Sequence, residues 1–167
     1  MLEELTVRNY AIIDHVQVDF APGLNVLTGE TGAGKSIMVG ALSLLHGARA
    51  DTQAIRTGSE ESVVTGVFRV AGNPEAQGWL ADHGIEPEGD AVLVRRTVKR
   101  QGRGTIYVES VPVTRAELAE LAGTLFDIHG QHEHQTLVEE SHHRVLLDHF
   151  AGIEEEVGEL RGVFQEL

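Results

Sequence analysis

The chain is 167 residues long, with 13 lysines and arginines against 26 aspartates and glutamates, a formal net charge of −13. That length suits one packed domain and is thin for two, and the acidity excludes strong non-specific nucleic-acid binding by the chain as a whole, because such binding rests on many cations neutralising phosphates. Zero cysteines exclude a disulfide framework and thiolate metal or nucleophile chemistry. With no apolar run of about 18 residues and no basic-then-apolar start, the expectation is a cytoplasmic protein that does not enter a membrane.

Val16, Val18 and Phe20 alternate with Gln17 and Asp19, so Leu5 to Phe20 reads as two short strands forming an opening hairpin. After the turn signal Pro22-Gly23, Leu24 to Thr28 reads as an apolar strand running into a glycine-rich loop. Ile37, Met38, Ala41, Leu42 and Leu45 recur at helical spacing between Lys35 and His46, with Gly47 as a C-terminal stop. Ala48 to Glu61 has no period, Ser62 to Val70 reads as a strand broken by Ala71-Gly72-Asn73-Pro74, and a short helix follows over Glu75 to Asp82. Ala91 to Arg100 and Thr105 to Ser110 are expected to pair as a second hairpin across Gly102 and Gly104. Thr114 with Glu117 three residues on fits a capping box and predicts a helix carrying Leu118 and Leu121. Ile153, Val157, Leu160, Phe164 and Leu167 are spaced 4, 3, 4, 3, a heptad seam still running at the last residue. An amphipathic helix packed on its own domain would show the same period. The fold class is α/β, with a partly antiparallel N-terminal sheet beside the strand that feeds the glycine loop.

The loop itself is Gly29-Glu30-Thr31-Gly32-Ala33-Gly34-Lys35-Ser36, the G-x-x-x-x-G-K-S pattern of a phosphate loop, lying between a predicted strand and a predicted helix as that pattern requires. Glycines let backbone N–H groups turn inward around an anion, the helix N-terminus adds partial positive charge, and Lys35 can reach the outer phosphates. Ser36 would place its hydroxyl on Mg²⁺. No asparagine is followed by lysine, so the base-reading motif of a GTPase is absent. Asp127 and Asp148 each end an apolar run, but Ile128 or His149 follows in place of the second acid that would orient water. A self-contained kinase and a non-catalytic nucleotide-binding module remain as alternatives to an ATPase part.

Two further clusters stand out. Arg95, Arg96, Lys99, Arg100 and Arg103 put five of the thirteen cations into nine positions. They read as contacts to DNA phosphates, as the lid of a nucleotide kinase, or as a solvated hairpin edge. Six of nine histidines fall between His129 and His149. His129, His132 and His134 lack the H-E-x-x-H spacing of a helical metal pair, which favours a polar loop beside the nucleotide over a metal site.

Asn9-Tyr10-Ala11-Ile12-Ile13-Asp14, Gly23 to Thr28 leading into the phosphate loop, Arg49-Ala50-Asp51, and Ile128-His129-Gly130-Gln131-His132-Glu133-His134-Gln135 closely resemble the RecN family. That family comprises SMC-like ATPases of DNA double-strand-break repair, with an ABC-type head and a coiled-coil arm. The resemblance implies an ATP- and Mg²⁺-binding N-terminal lobe of such a head over residues 1–150 and the root of a coiled coil over 151–167. It implies that Gly29, Glu30, Thr31, Gly32, Ala33, Gly34, Lys35 and Ser36 hold the nucleotide, and that Gln131, with Gln135 as second choice, senses Mg²⁺ and the terminal phosphate. It places Arg56 where related heads carry an arginine linked to DNA-stimulated hydrolysis. The implied partners are the C-terminal half of the same protein, a second head across two sandwiched ATP molecules, DNA, and the RecA recombinase, at the nucleoid. The relatives' basic residue after the Asn-aromatic pair is here Ala11.

Overall fold

The structure, a computed structural model, describes residues 1–28 and 32–128, together with 147–148, 150–153, 157, 160 and 164. It divides into two compact units, Met1–Ile128 and His129–Leu167.

The first unit is a six-stranded sheet with helices on one face. Its strands are β1 (Leu2–Tyr10), β2 (Ile13–Asp19), β3 (Glu61–Arg69), β4 (Ala91–Lys99), β5 (Thr105–Val108) and β6 (Val111–Pro112), in the spatial order β2-β1-β3-β4-β5-β6. Every neighbouring pair is antiparallel. The helices are α1 (Gly32–Leu45), α2 (Pro74–Asp82) and α3 (Arg115–Leu125). Successive side chains of a strand point to opposite faces, and alternate residues from Ser62 to Phe68 and from Val92 to Val98 are accordingly buried. Together with Leu5 and Val7 they pack against Ala41, Leu44 and Leu45 of α1, Ala76 and Leu80 of α2, and Leu118 and Leu121 of α3, forming one core.

Two glycines make the α1 packing possible. A Cβ on Gly66 would lie 2.8 Å from Leu45 Cδ1 and 2.7 Å from the Phe68 ring, so only glycine lets the last turn of α1 settle on β3. Gly47 ends α1 at φ +91°, and a Cβ there would meet Ala119 Cβ of α3 at 2.8 Å.

The hairpins, α1, β3, α2 and α3 lie where the sequence places them. Leu24–Thr28 does not: it joins no ladder, and Leu24 and Val26 are 91% and 71% exposed. A strand needs a hydrogen-bonded neighbour, and none of the described strands lies beside this segment. The two-residue β6 was not expected; it pairs with β5 through a turn in which Glu109 takes φ +53°.

The capping box forms as read. Thr114 Oγ1 accepts from Glu117 N–H at 3.2 Å, and Glu117 Oε2 accepts from Thr114 N–H at 2.6 Å. Thr114→Ala is expected to lower the unfolding free energy by about 1 kcal/mol. The backbone and hydroxyl hydrogen bonds of Thr114 hold the Glu117 carboxyl below its ordinary value. A carboxyl whose folded pKa is depressed stabilises the fold above its unfolded pKa, and that contribution fades as the pH falls through the folded one. Urea titrations at neutral and acid pH should therefore show a gap between wild type and Glu117→Gln that closes in acid.

In the second unit, Val157, Leu160 and Phe164 are helical, and Val157 N–H donates to Ile153 O at 3.0 Å. Leu160 and Phe164 are exposed. The last member of the heptad seam, Leu167, lies outside the described residues.

Candidate functional site

The site is assembled where β2, the segment before the glycine loop and the start of α1 converge. Asn25 shapes the approach: its Nδ2 donates to Ala21 O at 2.7 Å and to Gly23 O at 3.3 Å, and its Oδ1 accepts from Ala21 N–H at 3.1 Å. This clamp closes the Pro22-Gly23 turn, where Gly23 takes φ +89°. Behind the site, the turn between β1 and β2 is braced by the segment after α1. Ala11 N–H donates to Ala54 O, Arg56 N–H to Asn9 O, and Arg56 Nη1 to Ile12 O at 2.7 Å. Tyr10 lies against α1 so closely that a Cβ on Gly40 would stand 2.7 Å from its hydroxyl. Burial, and then the charge of Asp51, raise the Tyr10 pKa, so the phenol stays protonated through the ordinary pH range.

Gly32, Ala33, Gly34, Lys35 and Ser36 form the first turn of α1. That turn contains no acidic residue, so the partial positive charge at the helix N-terminus is not neutralised there. Gly34 and Lys35 are exposed, and space beside Gly34 is open, with nothing within 4 Å of where a Cβ would sit. An anion can therefore approach the backbone directly, and these residues fit nucleotide phosphates. Gly29, Glu30, Thr31 and Gln131, with Gln135 and the His129, His132 and His134 cluster, lie outside the described residues.

A cleft of about 460 Å³ opens beside Lys35, within the range of small-molecule sites. Its walls are Ile13, Val16 and Val18 of β2, Leu27 and Thr28, and Met38 of α1, with Asp14 and His15 at the β2 end. Apolar walls next to a phosphate-binding helix terminus suit a nucleotide whose base is sheltered while its phosphates meet Lys35. The β2 residues of this cleft were not singled out as binding residues in the sequence. Their signal was the alternation of Val16 and Val18, whose inner face α1 covers only in part.

The basic run is not one patch, and this corrects the reading of five adjacent cations as a single surface. Alternation along β4 turns Arg96 inward, 5% exposed, where its Nη1 donates to Leu44 O at the C-terminus of α1. Burial, then the neighbouring Arg115, lower its pKa; Arg115 donates to Gly47 O at 3.2 Å. Both cations sit where a helix C-terminus favours positive charge. Arg100 is also engaged, its Nε donating to Ser59 O and its Nη2 to Ile55 O and Arg56 O. Of the run, only Arg95, Lys99 and Arg103 are exposed and make no hydrogen bond or ion pair among the described residues. Arg56 is tied to Ile12 O, with Asp14 4.0 Å away. The two aspartates set aside as metal carboxylates fall at Asp127, whose Oδ1 accepts from Ile128 N–H, and at Asp148 in the second unit.

Residues 4–144 match the family model described as AAA domain. The chain is 45% identical over 158 residues to the DNA repair protein RecN of Treponema pallidum, covering 94% of this chain and 28% of that protein. It is 42% identical over 156 residues to the RecN of Bacillus subtilis, covering 93% and 27%. It thus spans little more than a quarter of these relatives' length. A solved structure from work on ATP-driven dimerisation and DNA-stimulated activation of SMC ATPases superposes with a TM-score of 0.60 at 22% identity, covering 88% of this chain and 97% of that one. The fold is that of the SMC-type, P-loop ATPase head.

Proposed function

The chain belongs to the AAA domain family and its curated relatives are RecN proteins, and on that premise we propose that it is the ATP-binding part of an SMC-like ATPase head acting in DNA double-strand-break repair and recombination. The observation that carries the reading is the first turn of α1, with Lys35 exposed and no acid present, beside a cleft sized for a nucleotide. The phosphate-loop residues Gly29 to Ser36 hold the phosphates, Ser36 and Gln131 hold Mg²⁺, and the cleft shelters the base. Bound Mg²⁺ neutralises developing charge on the phosphates during hydrolysis. This chain's own residues bind and orient.

Hydrolysis needs more than these residues provide. The Mg²⁺ aspartate, the catalytic glutamate and the signature motif come from the C-terminal half of the same protein. The exposure of Leu24, Val26 and Leu27 supports that division, because an apolar segment that reads as a buried strand lacks the neighbours that would bury it. Residues 151–167 begin the coiled coil, and 1–150 form the lobe. Two heads close over two ATP molecules, and opening on hydrolysis controls the holding of DNA. RecA is a further partner, and the protein works in the cytoplasm at the nucleoid. Among the described residues no helix is long and apolar enough to cross a membrane.

The test is paired. Calorimetric titration of the chain with ATP and Mg²⁺ should show saturable binding while the same sample shows no turnover, and turnover should appear when the C-terminal half is added in trans. Steady turnover by the chain alone would overturn the division of labour and promote Asp127 or Asp148 to the metal carboxylate of a self-contained enzyme.

A further inference from the structure

Arg96 is the one buried charged side chain among the described residues. A charge taken out of water is costly unless an opposite charge faces it, yet Arg96 makes no ion pair among them. Its Nη1 donates to Leu44 O, and its Nε and Nη2 donate to none of the described residues. No buried side-chain nitrogen of the described residues lacks a partner, so Nε and Nη2 reach solvent. The neighbouring charge has the same sign: Arg115 donates to Gly47 O and also forms no ion pair among the described residues. Two guanidinium groups thus share the end of α1 without a carboxylate, in a chain whose acids outnumber its lysines and arginines 26 to 13.

Arg96 lines a cavity of about 250 Å³ between the β4-β5 hairpin and the segment after α1. Alternate residues of a strand share a face, and Arg96 stands opposite Ile106, so Arg96, Val98 and Ile106 bound the cavity from the core side of the sheet. Ala50 and Thr52 add to its walls, and Gly104 leaves the hairpin end without a side chain. None of the lining residues is acidic. Asp51 is not part of the wall; its Oδ1 accepts from Gln53 N–H at 2.8 Å. The volume lies below the range of about 300 to 1,000 Å³ typical of drug-sized ligands and well below that of the cleft beside Lys35.

We infer that this cavity binds a small free oxyanion of the size and charge of inorganic phosphate, held by the Nε and Nη2 donors of Arg96. Those two nitrogens share one edge of the planar guanidinium, the edge that presents parallel N–H bonds to two oxygens of one anion. The remaining nitrogen, Nη1, keeps its carbonyl, so the fold and the ligand do not compete for the same donor. The site lies at the opposite end of α1 from Lys35 and does not depend on the nucleotide reading. Its occupant ties the end of α1, the segment after it and the β4-β5 hairpin together through one charge. A phosphate of duplex DNA does not fit, because Arg96 is recessed in a small cavity instead of standing on an open surface.

The test is a titration of the full chain with inorganic phosphate at fixed ionic strength, followed by NMR at the assigned Arg96 Nε–H resonance. The resonance should shift saturably in wild type and equally in Lys35→Ala, which removes the lysine of the phosphate loop. Thr52→Glu sets a carboxylate at the cavity wall and leaves Arg96 in place; like charges brought together should weaken phosphate there by about 10-fold or more. Equal melting temperatures without phosphate establish that this variant is folded. Duplex DNA at the same phosphate concentration should leave the resonance where it is. A resonance that does not move, or moves without saturating, would overturn the site. So would a saturable shift lost in Lys35→Ala and unchanged in Thr52→Glu, which would assign the phosphate to the loop at the other end of α1 and leave the nucleotide reading intact. A shift with duplex as large as with inorganic phosphate would overturn the free ion as occupant.

Discussion

Lys35→Ala should weaken nucleotide binding about 100-fold and leave the fold intact. The ammonium sits in the first turn of α1, exposed, with no partner among the described residues to lose. Lysine and alanine are both good helix formers, so the change should move stability by no more than about 0.5 kcal/mol. On phosphates the same group is a charge-assisted donor, and removing one partner of such a contact costs about 3 kcal/mol, or about 100-fold in affinity. Thermal unfolding with and without ATP and Mg²⁺ separates the two effects. At a nucleotide concentration about 100 times the wild-type dissociation constant, binding stabilises the wild type by about 2.7 kcal/mol, whereas a variant weakened about 100-fold gains only about 0.4. Equal ATP-induced shifts in the two proteins would remove Lys35 from the site and with it the reading of α1 as a phosphate-binding helix.

The residues that make this site legible are local in sequence. A glycine loop, a helical period from Ile37 to Leu45 and a stop at Gly47 specify strand-loop-helix within about twenty positions, and α1 spans Gly32–Leu45. The Thr114 and Glu117 cap, local for the same reason, forms as read. What failed was non-local. Leu24–Thr28 has the composition of a strand, but composition does not supply a neighbour to pair with, and none of the described strands does so. The division of the basic run was present in the pattern all along. Val92, Val94 and Val98 fix one face of β4 as the core face, and Arg96 falls on it by period two. Proximity in sequence suggested a patch, and the pleat separated its members. The short β6 left no periodic signal at two residues, and its turn relies on a left-handed glutamate in place of glycine. Gln131 lies outside the described residues, so its role as the Mg²⁺-sensing glutamine rests on the RecN resemblance.

Phe68→Ala should produce the converse of the Lys35 result: a large loss of stability with little loss of intrinsic nucleotide affinity. Phe68 is fully buried and stacks on Phe126 at 5.1 Å and 16°, and Phe126 meets His46 edge-on at 5.3 Å. β3, the residue after α1 and the residue after α3 thus converge on one ring. Gly66 leaves the room into which Leu45 and the Phe68 ring both fit. Truncating a buried phenylalanine removes its transfer energy and leaves a cavity, together about 3 to 5 kcal/mol. For a domain of this size that is a fall of roughly 10 °C in melting temperature, from a total stability of about 5 to 15 kcal/mol. The cavity opens at the C-terminal end of α1, whereas Lys35 lies in its first turn; at 1.5 Å per residue the ten residues from Lys35 to Leu45 separate them by about 15 Å. Below the transition, where nearly all molecules remain folded, Phe68→Ala should therefore bind ATP within a few-fold of wild type. Phe68→Leu, which keeps most of the volume, should fall between wild type and Phe68→Ala in melting temperature. A folded Phe68→Ala protein with affinity as poor as that of Lys35→Ala would mean that the packing of α1 on β3 sets the geometry of the phosphate site from the far end of the helix.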